Sequence, residues 1–395
     1  MATSRIHLAI EHLKSNRLAE AESICNELLS GNSNDADALH FLSVVRMGQG
    51  KRDEAIELLK RSLKIAPRNP QAWNSLGNML WHTPEHQATE FAYRHATNLK
   101  PDFFEAWYNL GRLLHRHHRR AEALEVFKRA IQLQPRFARA HEFIAVLHQR
   151  MGHPDLAAES FRRWHELDPD NAIARHMAAA NSQQNAPERA DDAYVVSVFD
   201  RAAKNFDQAL ARLGYAAPQL LTAALADVIP FAEARLTMLD AGCGTGLCGP
   251  LLRSSARRLV GVDLSAGMLA EARARNVYDE LHEAELVAFM RGHPAEYDVV
   301  ISADTLVYFG ALEEAMAAAA GALRPGGILA FTVEAEPADS GETFRLQHHG
   351  RYTHSGSYLR ACLAGAGFQV LQIEPGVLRK EGGADVQGHV MTARR

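Results

Sequence analysis

A helical solenoid followed by a mostly parallel α/β domain is the architecture the sequence predicts, and two patterns predict it. Pro67, Pro101, Pro135 and Pro169 stand 34 residues apart, a period that marks stacked helix pairs. Beyond residue 235, short apolar runs alternate with helical segments, the rhythm of a doubly wound sheet.

Aligned on the 34-residue period, the eighth position of each unit holds Ala9, Ser43, Gly77, Gly111 and Ala145. The twentieth holds Ala21, Ala55, Thr89, Ala123 and Ala157. Small residues at two fixed places let the helices of a hairpin approach closely. Large ones, such as Trp73, Trp107, Phe127 and Phe161, fill the space around them, and each proline ends a second helix. The pattern, plainest in WNSLGNML and WYNLGRLL, resembles the tetratricopeptide repeat. It divides into five units, 2–35, 36–69, 70–103, 104–137 and 138–171, with a helix near 172–184 expected to cap them. The resemblance implies a groove for a protein or peptide partner. The run His115-Arg116-His117-His118-Arg119-Arg120 falls at the interhelix turn of the fourth unit. It reads as a solvated turn, with a patch for an anionic partner as the alternative.

Composition narrows the remaining classes. A chain 47% hydrophobic and 23% charged has the balance of a soluble globular protein. A net charge of −4 gives no electrostatic case for nucleic acid. Cys25, Cys243, Cys248 and Cys362 lack both a disulfide framework and zinc spacing, so a reducing compartment is expected. The opening MATSRIHLAIEHLKSNRLAE is broken by charges, and no apolar run reaches 18 residues. A cytoplasmic chain without membrane spans is the expectation.

In the back half, NSQQNAPERADD reads as a polar linker, and residues 193–229 read as helices carrying Phe199, Phe206 and Tyr215. The runs LTMLDA (236–241), LVGVD (259–263), AELVAF (284–289), YDVVISA (297–303) and GILAFTVE (327–334) read as strands buried on both faces. Helices at 266–275 and 312–323 lie between them. FQVLQIE (368–374) and DVQGHVMTARR complete a seven-stranded, Rossmann-like sheet. The expected organisation is a solenoid over 1–184, a linker and helical lid over 185–235, and the α/β domain over 236–395.

The loop in LDAGCGTGLCG carries two glycine patterns. Gly242, Gly244 and Gly246 spell G-x-G-x-G, while Gly244, Gly246 and Gly249 spell the dinucleotide fingerprint G-x-G-x-x-G. Asp240, at the end of the first strand, separates the readings. A carboxylate there repels a pyrophosphate but suits a ligand carrying an ammonium and a sulfonium. Asp263 ends the second strand and fits ribose recognition under either reading. Gly249 is expected inside the following helix, where glycine serves close packing.

LDAGCGTG in combination with the downstream LRPGG resembles class I S-adenosylmethionine-dependent methyltransferases, over about half the chain. The joined repeat array resembles bacterial members that carry tetratricopeptide repeats. That resemblance implies S-adenosylmethionine as cofactor, with Asp240, Gly242, Cys243, Gly244 and Gly246 holding its methionine end. Asp263 would take the ribose hydroxyls, Leu264 and Met268 the adenine, and Glu285, beside Leu286, the adenine amino group. Helices before the first strand would form a lid through Tyr194, Phe199 and Phe206. Two other readings stand beside it: a scaffold with a non-catalytic cofactor domain, and an NAD(P)-dependent enzyme.

Methyl transfer needs a base only where the acceptor carries a proton, so the sequence dictates no catalytic residue. Asp304 and Tyr308 follow the fourth strand and are the catalytic candidates, Asp304 towards the cofactor and Tyr308 shaping the acceptor pocket. Glu334 follows the fifth strand, and Arg351, Tyr352 and His354 lie in the next loop. Arg351 and Arg379 read as partners of an anionic acceptor or as surface ion pairs, and His348-His349 as solvated rather than metal-binding.

Overall fold

The computed structural model describes residues 2–182, 186–229, 235–337 and 340–395. The chain forms two compact units, Met1–Leu167 and Asp168–Arg395.

In the first unit consecutive helices pair: α1 (Ala2–Lys14) with α2 (Leu18–Gly31), α3 (Ala36–Gly48) with α4 (Arg52–Ile65), α5 (Pro70–Leu80) with α6 (His86–Leu99), α7 (Phe104–Arg116) with α8 (Arg120–Leu133), and α9 (Ala138–Arg150) with α10 (Pro154–Leu167). Each 34-residue unit thus holds one hairpin. Every marker proline stands two residues past a helix end, because it disfavours helical geometry in the residue before it. The small positions sit where the helices touch. A methyl added at Gly77 would lie 2.4 Å from the Tyr93 ring, and one at Gly111 would lie 2.8 Å from the Phe127 ring. In the first two units smaller residues, Cys25 and Leu59, take the place of those rings, and Ala9 and Ser43 replace the glycines, all fully buried. Volume lost on one helix is therefore gained on its partner.

A second recurring device was not foreseen. The indole N–H of Trp73 donates to the Pro67 carbonyl at 2.8 Å, and that of Trp107 donates to the Pro101 carbonyl at 3.0 Å. In the last unit His141 occupies the same position, its Nε2 lying 3.0 Å from the Pro135 carbonyl. These tryptophans staple one unit to the proline ending the previous one. The basic run is largely exposed, as expected of a solvated turn, with Arg116, His117, His118 and Arg120 all facing solvent. Arg119 pairs with Glu90 at 2.5 Å and with Glu122 at 2.6 Å, and Arg116 donates to the Trp81 carbonyl. Arg119 to Glu90 and Arg116 to Trp81 link this unit to the one before it.

The second unit opens with α11 (Ala172–Ser182), the helix expected to cap the repeats, which groups here through a 2.8 Å bond between His176 Nε2 and the Gly350 carbonyl. Then come α12 (Asp192–Ala202), a 3-10 turn (Ala203–Asn205), α13 (Phe206–Arg212) and α14 (Ala217–Val228). The α/β region runs β1 (Leu236–Ala241), α15 (Gly249–Leu252), β2 (Ala256–Asp263), α16 (Ala266–Ala274), β3 (Glu280–Glu283), α17 (Leu286–Arg291) and β4 (Tyr297–Ser302). A 3-10 turn (Leu306–Tyr308) leads to α18 (Glu313–Ala322), β5 (Leu323–Ala335), β6 (Phe344–Leu346), β7 (Tyr352–His354), α19 (Gly356–Gly365), β8 (Gln369–Glu381) and β9 (Ala384–Arg394).

Strands β3-β2-β1-β4-β5 pair in parallel, β9 runs antiparallel to β5, and β8 runs antiparallel to β9. Those are the seven expected strands. Two more extend the sheet among the described residues: β7 pairs with β5 at Glu334 and Ala335, and β6 pairs with β7. The sequence run read as the third strand, 284–289, is corrected. The strand is Glu280–Glu283, and LVAFMR is a helix capped by Glu285, whose side chain accepts from the Ala288 N–H. A short apolar run has no period that separates strand from helix, and the cap decides it.

Alternation along the strands sends side chains to both faces. Leu239, Val260, Val300 and Phe331 pack on one side with Leu286, Met316 and Leu359. Met238, Leu259, Val299 and Ile328 pack on the other with Leu221 and Leu252. The strand order reverses between β1 and β4, which opens a crevice at their carboxyl ends.

The glycine–ring contacts predict that Gly111→Ala lowers solenoid stability by about 1–3 kcal/mol through overpacking. Combining it with Phe127→Leu should recover part of that loss. Urea midpoints of both single variants and the double variant, followed by far-ultraviolet circular dichroism, check this. Additive effects would contradict the contact.

Candidate active site

The glycine loop leaves the end of β1 at the crevice. Gly242, Gly244 and Gly246 all have positive φ, +81°, +54° and +84°, a region that only glycine enters without strain. Their surroundings differ. A side chain at Gly242 would strike Thr305, and one at Gly246 would strike Tyr278. A Cβ at Gly244 would meet nothing within 4 Å, so this peptide faces open space. Below the loop, Gly242 and Cys243 donate to the Val262 carbonyl, and the Thr305 hydroxyl donates to the Gly242 carbonyl. Gly249 starts α15, where a Cβ would lie 2.6 Å from Val277. It serves packing.

Asp240 is 1% exposed at the end of β1. Tyr278 donates to its Oδ2 at 2.6 Å, while its Oδ1 is buried with no partner. Burial is the main cause raising this carboxyl to about 7; the Tyr278 hydrogen bond opposes the rise and the nearby Asp263 adds to it. Burying an acceptor with nothing to bond costs roughly 1–3 kcal/mol, and the site retains one. A donor bearing positive charge would satisfy the oxygen and restore the ionised form. The orphan oxygen beside the open Gly244 peptide thus fits an ammonium group.

Asp263 Oδ2 accepts from the Gly244 N–H at 2.8 Å and Oδ1 from the Ser265 N–H at 2.9 Å, fixing its carboxylate at the rim of the loop. Ser265 caps α16 by accepting from Met268 N–H. Leu264 is half-buried, whereas Met268 is 1% exposed and packed inward. Glu285 has both oxygens engaged, Oε2 by the Ala288 N–H and Oε1 by Arg189 at 3.0 Å, and Leu286 beside it is buried in the core.

The lid helices reach the loop through residues the sequence reading missed. Asp207 accepts from the Thr245 hydroxyl at 2.6 Å and pairs with Arg275. Asp200 accepts from the Ser265 hydroxyl at 2.5 Å and from the Gly267 N–H at 3.0 Å. Beside them, the Phe199 ring meets Phe206 and Tyr308 edge-on, while Tyr194 stacks on His176 at 3.9 Å. A signal for this was present. The pair Phe-Asp occurs at 199–200 and again at 206–207, a repeat that the 3-10 turn at Ala203–Asn205 divides between two helices.

Beyond the carboxyl ends of β4 and β5 the catalytic candidates meet. Arg379, its side chain 4% exposed, donates to Asp304 Oδ2 at 2.5 Å, to Glu381 Oε1 at 2.6 Å and to Glu334. Arg351 donates to Glu334 Oε1 at 2.5 Å and to both oxygens of Glu381 at 2.8 Å. Both arginines are therefore paired within the chain, Arg379 buried and Arg351 part-buried, where the sequence left a surface pairing open. Asp304 has φ +57° and an unpartnered buried Oδ1. Burial raises its pKa, and Arg379 opposes that rise. Tyr308 ends the 3-10 turn and is held by burial well above the ordinary phenol range. His349 is also drawn in, 3.5 Å from Glu334, with its pKa lowered by burial to about 4. Tyr352 and His354 are structural: the first donates to the Pro187 carbonyl, and the second bonds the Gly310 carbonyl. Tyr215 is held by burial well above the ordinary phenol range, and the charges of Asp304 and Asp240 add to the rise.

Because Asp240 has its pKa raised in the fold, its ionisation opposes folding. The cost is absent below about pH 4, grows as pH rises towards 7 and is level above. The melting temperature of Asp240→Asn minus that of the parent should therefore climb between about pH 4 and 7 and then level off. A pH-independent difference would contradict the burial argument.

A family model described as "Methyltransferase domain" matches residues 239–331. Models described as "Tetratricopeptide repeat" match residues 12–79 and 104–137. The chain is similar to malonyl-[acyl-carrier protein] O-methyltransferase of Enterobacter lignolyticus, 39% identical over 26% of this chain and 40% of that protein. It is likewise similar to methyltransferase-like protein 27 of Homo sapiens, 39% identical over 23% of this chain and 38% of that protein. The malonyl-[acyl-carrier protein] O-methyltransferase of Salmonella typhimurium is 32% identical over 35% of this chain and 52% of its own length. The matched region thus spans about half or less of these relatives. Repeats at the front and the glycine-loop crevice behind them make this chain a run of tetratricopeptide repeats followed by a methyltransferase domain.

Proposed function

We propose that this chain is an S-adenosylmethionine-dependent methyltransferase of the cytoplasm whose repeats bind a protein or peptide partner or substrate. The observation that carries the proposal is Asp240, buried, bonded by Tyr278 on one oxygen and without a partner on the other. That oxygen would receive the ammonium of the methionine end, with Gly242, Cys243, Gly244 and Gly246 shaping the cradle. Asp263 would accept from the ribose hydroxyls. Leu264, Met268, Glu285 and Leu286 would border the adenine. The cofactor supplies a methyl group on a sulfonium whose leaving thioether is neutral. The chain's part is to align an acceptor and exclude water, for which the lid aromatics and the Asp200 and Asp207 contacts are built. Relatives whose names specify O-methyltransferase activity support the reaction class.

Isothermal titration tests the cofactor. S-adenosylmethionine and S-adenosylhomocysteine should bind, NADH should not, and Asp240→Ala should weaken binding at least tenfold, as expected for loss of a charge-assisted hydrogen bond. Affinity should also fall as pH drops below 7, because Asp240 must be ionised to hold a cation. NADH binding in place of the methionine cofactors would replace the reading with a nicotinamide enzyme, and no binding at all would leave a scaffold. Labelled-methyl transfer into cell lysate, separated into protein and metabolite fractions, tests the acceptor. Label confined to metabolites would remove the idea that the repeats present a protein substrate.

A further inference from the structure

The two oxygens of Asp240 are treated unequally. The Tyr278 hydroxyl lies 2.6 Å from Oδ2, while no donor reaches Oδ1. Tyr278 stands two residues before β3, and its ring fills the space into which side chains at Gly246, Gly249 and Gly261 would project. The glycine loop, the start of α15 and β2 thus fix the phenol together. Burial, with the charge of Asp240 adding to it, holds that phenol well above its ordinary range. It keeps its proton at any working pH and meets Oδ2 only as a donor.

A carboxyl whose Oδ2 accepts from a permanent donor must carry its own proton on Oδ1. The other groups acting on Asp240 do not relieve this. Burial keeps Tyr215, Cys243 and Cys248 protonated, each well above its ordinary range. Asp263 is negative when ionised and disfavours a second negative charge beside it. Asp240 pairs with no lysine or arginine among the described residues. The Tyr278 hydrogen bond alone favours its ionised form until a cation arrives.

We propose that Tyr278 is a positioning residue for the cofactor: by occupying Oδ2 it directs the proton of Asp240 and the ammonium of the methionine end to the same oxygen, Oδ1, so that one leaves as the other binds. The inference rests on the methyltransferase reading above and deepens it. Below neutral pH, binding breaks the Oδ1–H bond, whose electron pair stays on the carboxylate and whose proton passes to solvent. The ammonium N–H then donates to the freed oxygen.

Tyr278→Phe tests the role, because it keeps the ring that fills the space beside the glycines and removes only the donor. The full chain is titrated calorimetrically with S-adenosylhomocysteine at pH 6 and at pH 8. Loss of a hydrogen bond to a charged group should raise the Asp240 pKa by about one unit. The variant should therefore bind about tenfold more weakly than the parent at pH 6 and within about twofold of it at pH 8. Titrations of the parent in buffers of different ionisation enthalpy should show release of about one proton per ligand at pH 6 and far less at pH 8. A loss in Tyr278→Phe as large at pH 8 as at pH 6, or no loss at either, would overturn the positioning role, since a packing contact acts alike at both. Binding to the parent at pH 6 without proton release would overturn the shared oxygen. Failure of S-adenosylhomocysteine to bind the parent at either pH would instead remove the methyltransferase reading beneath both.

Discussion

Asp240 is held at the end of a central parallel strand, with core on both faces of the sheet and the carboxylate turned into the crevice where the strand order reverses. Its charge is costly there, and the surrounding structure lowers that cost only halfway. The phenol of Tyr278 occupies one oxygen, and the same ring lies where side chains at Gly246 and Gly249 would otherwise project. Glycines at those positions and the aspartate before them are thus one constraint. Removing the ring's space or the strand-end charge disturbs the same few cubic ångströms. The remaining oxygen is a deficit that a cationic ligand makes good, so the site is less comfortable empty than filled.

Charge imbalance recurs at the second cluster, where two guanidiniums hold three carboxylates between β5, β7, β8 and the turn after β4. The added strands matter for this reason. The loop of the β6–β7 hairpin delivers His349 and Arg351 beside Glu334, and the long β8 brings Arg379 and Glu381. Arginines committed to internal partners do not select an anion. They hold the carboxylates in place, and Asp304 Oδ1 stays unpartnered.

The solenoid was legible because its constraint is periodic. Two helices that must approach closely need small residues at matching places, and repetition prints that need into the sequence five times. The same argument reaches the glycine loop, since positive φ demands glycine and a strand-end acid stands out beside it. It failed at 284–289, where apolarity without period was taken for a strand and a single capping contact from Glu285 made a helix. It also passed over Tyr278, Asp200, Asp207 and Glu381. Each acts through a partner 30 or more residues away, and no local pattern announces such a pairing.

What the sequence alone determined is the set of demands made by backbone and period: stacked hairpins, a sheet with alternating crossovers, a glycine turn beside an acid. What only the tertiary structure decided is which charges are satisfied. Arg351 and Arg379 look available to an anion in the sequence and prove to be paired, whereas Asp240 and Asp304, marked in the sequence by their places at or just after strand ends, prove to hold unpartnered oxygens. Burial and pairing are properties of residues brought together from distant segments, so no local pattern prints them.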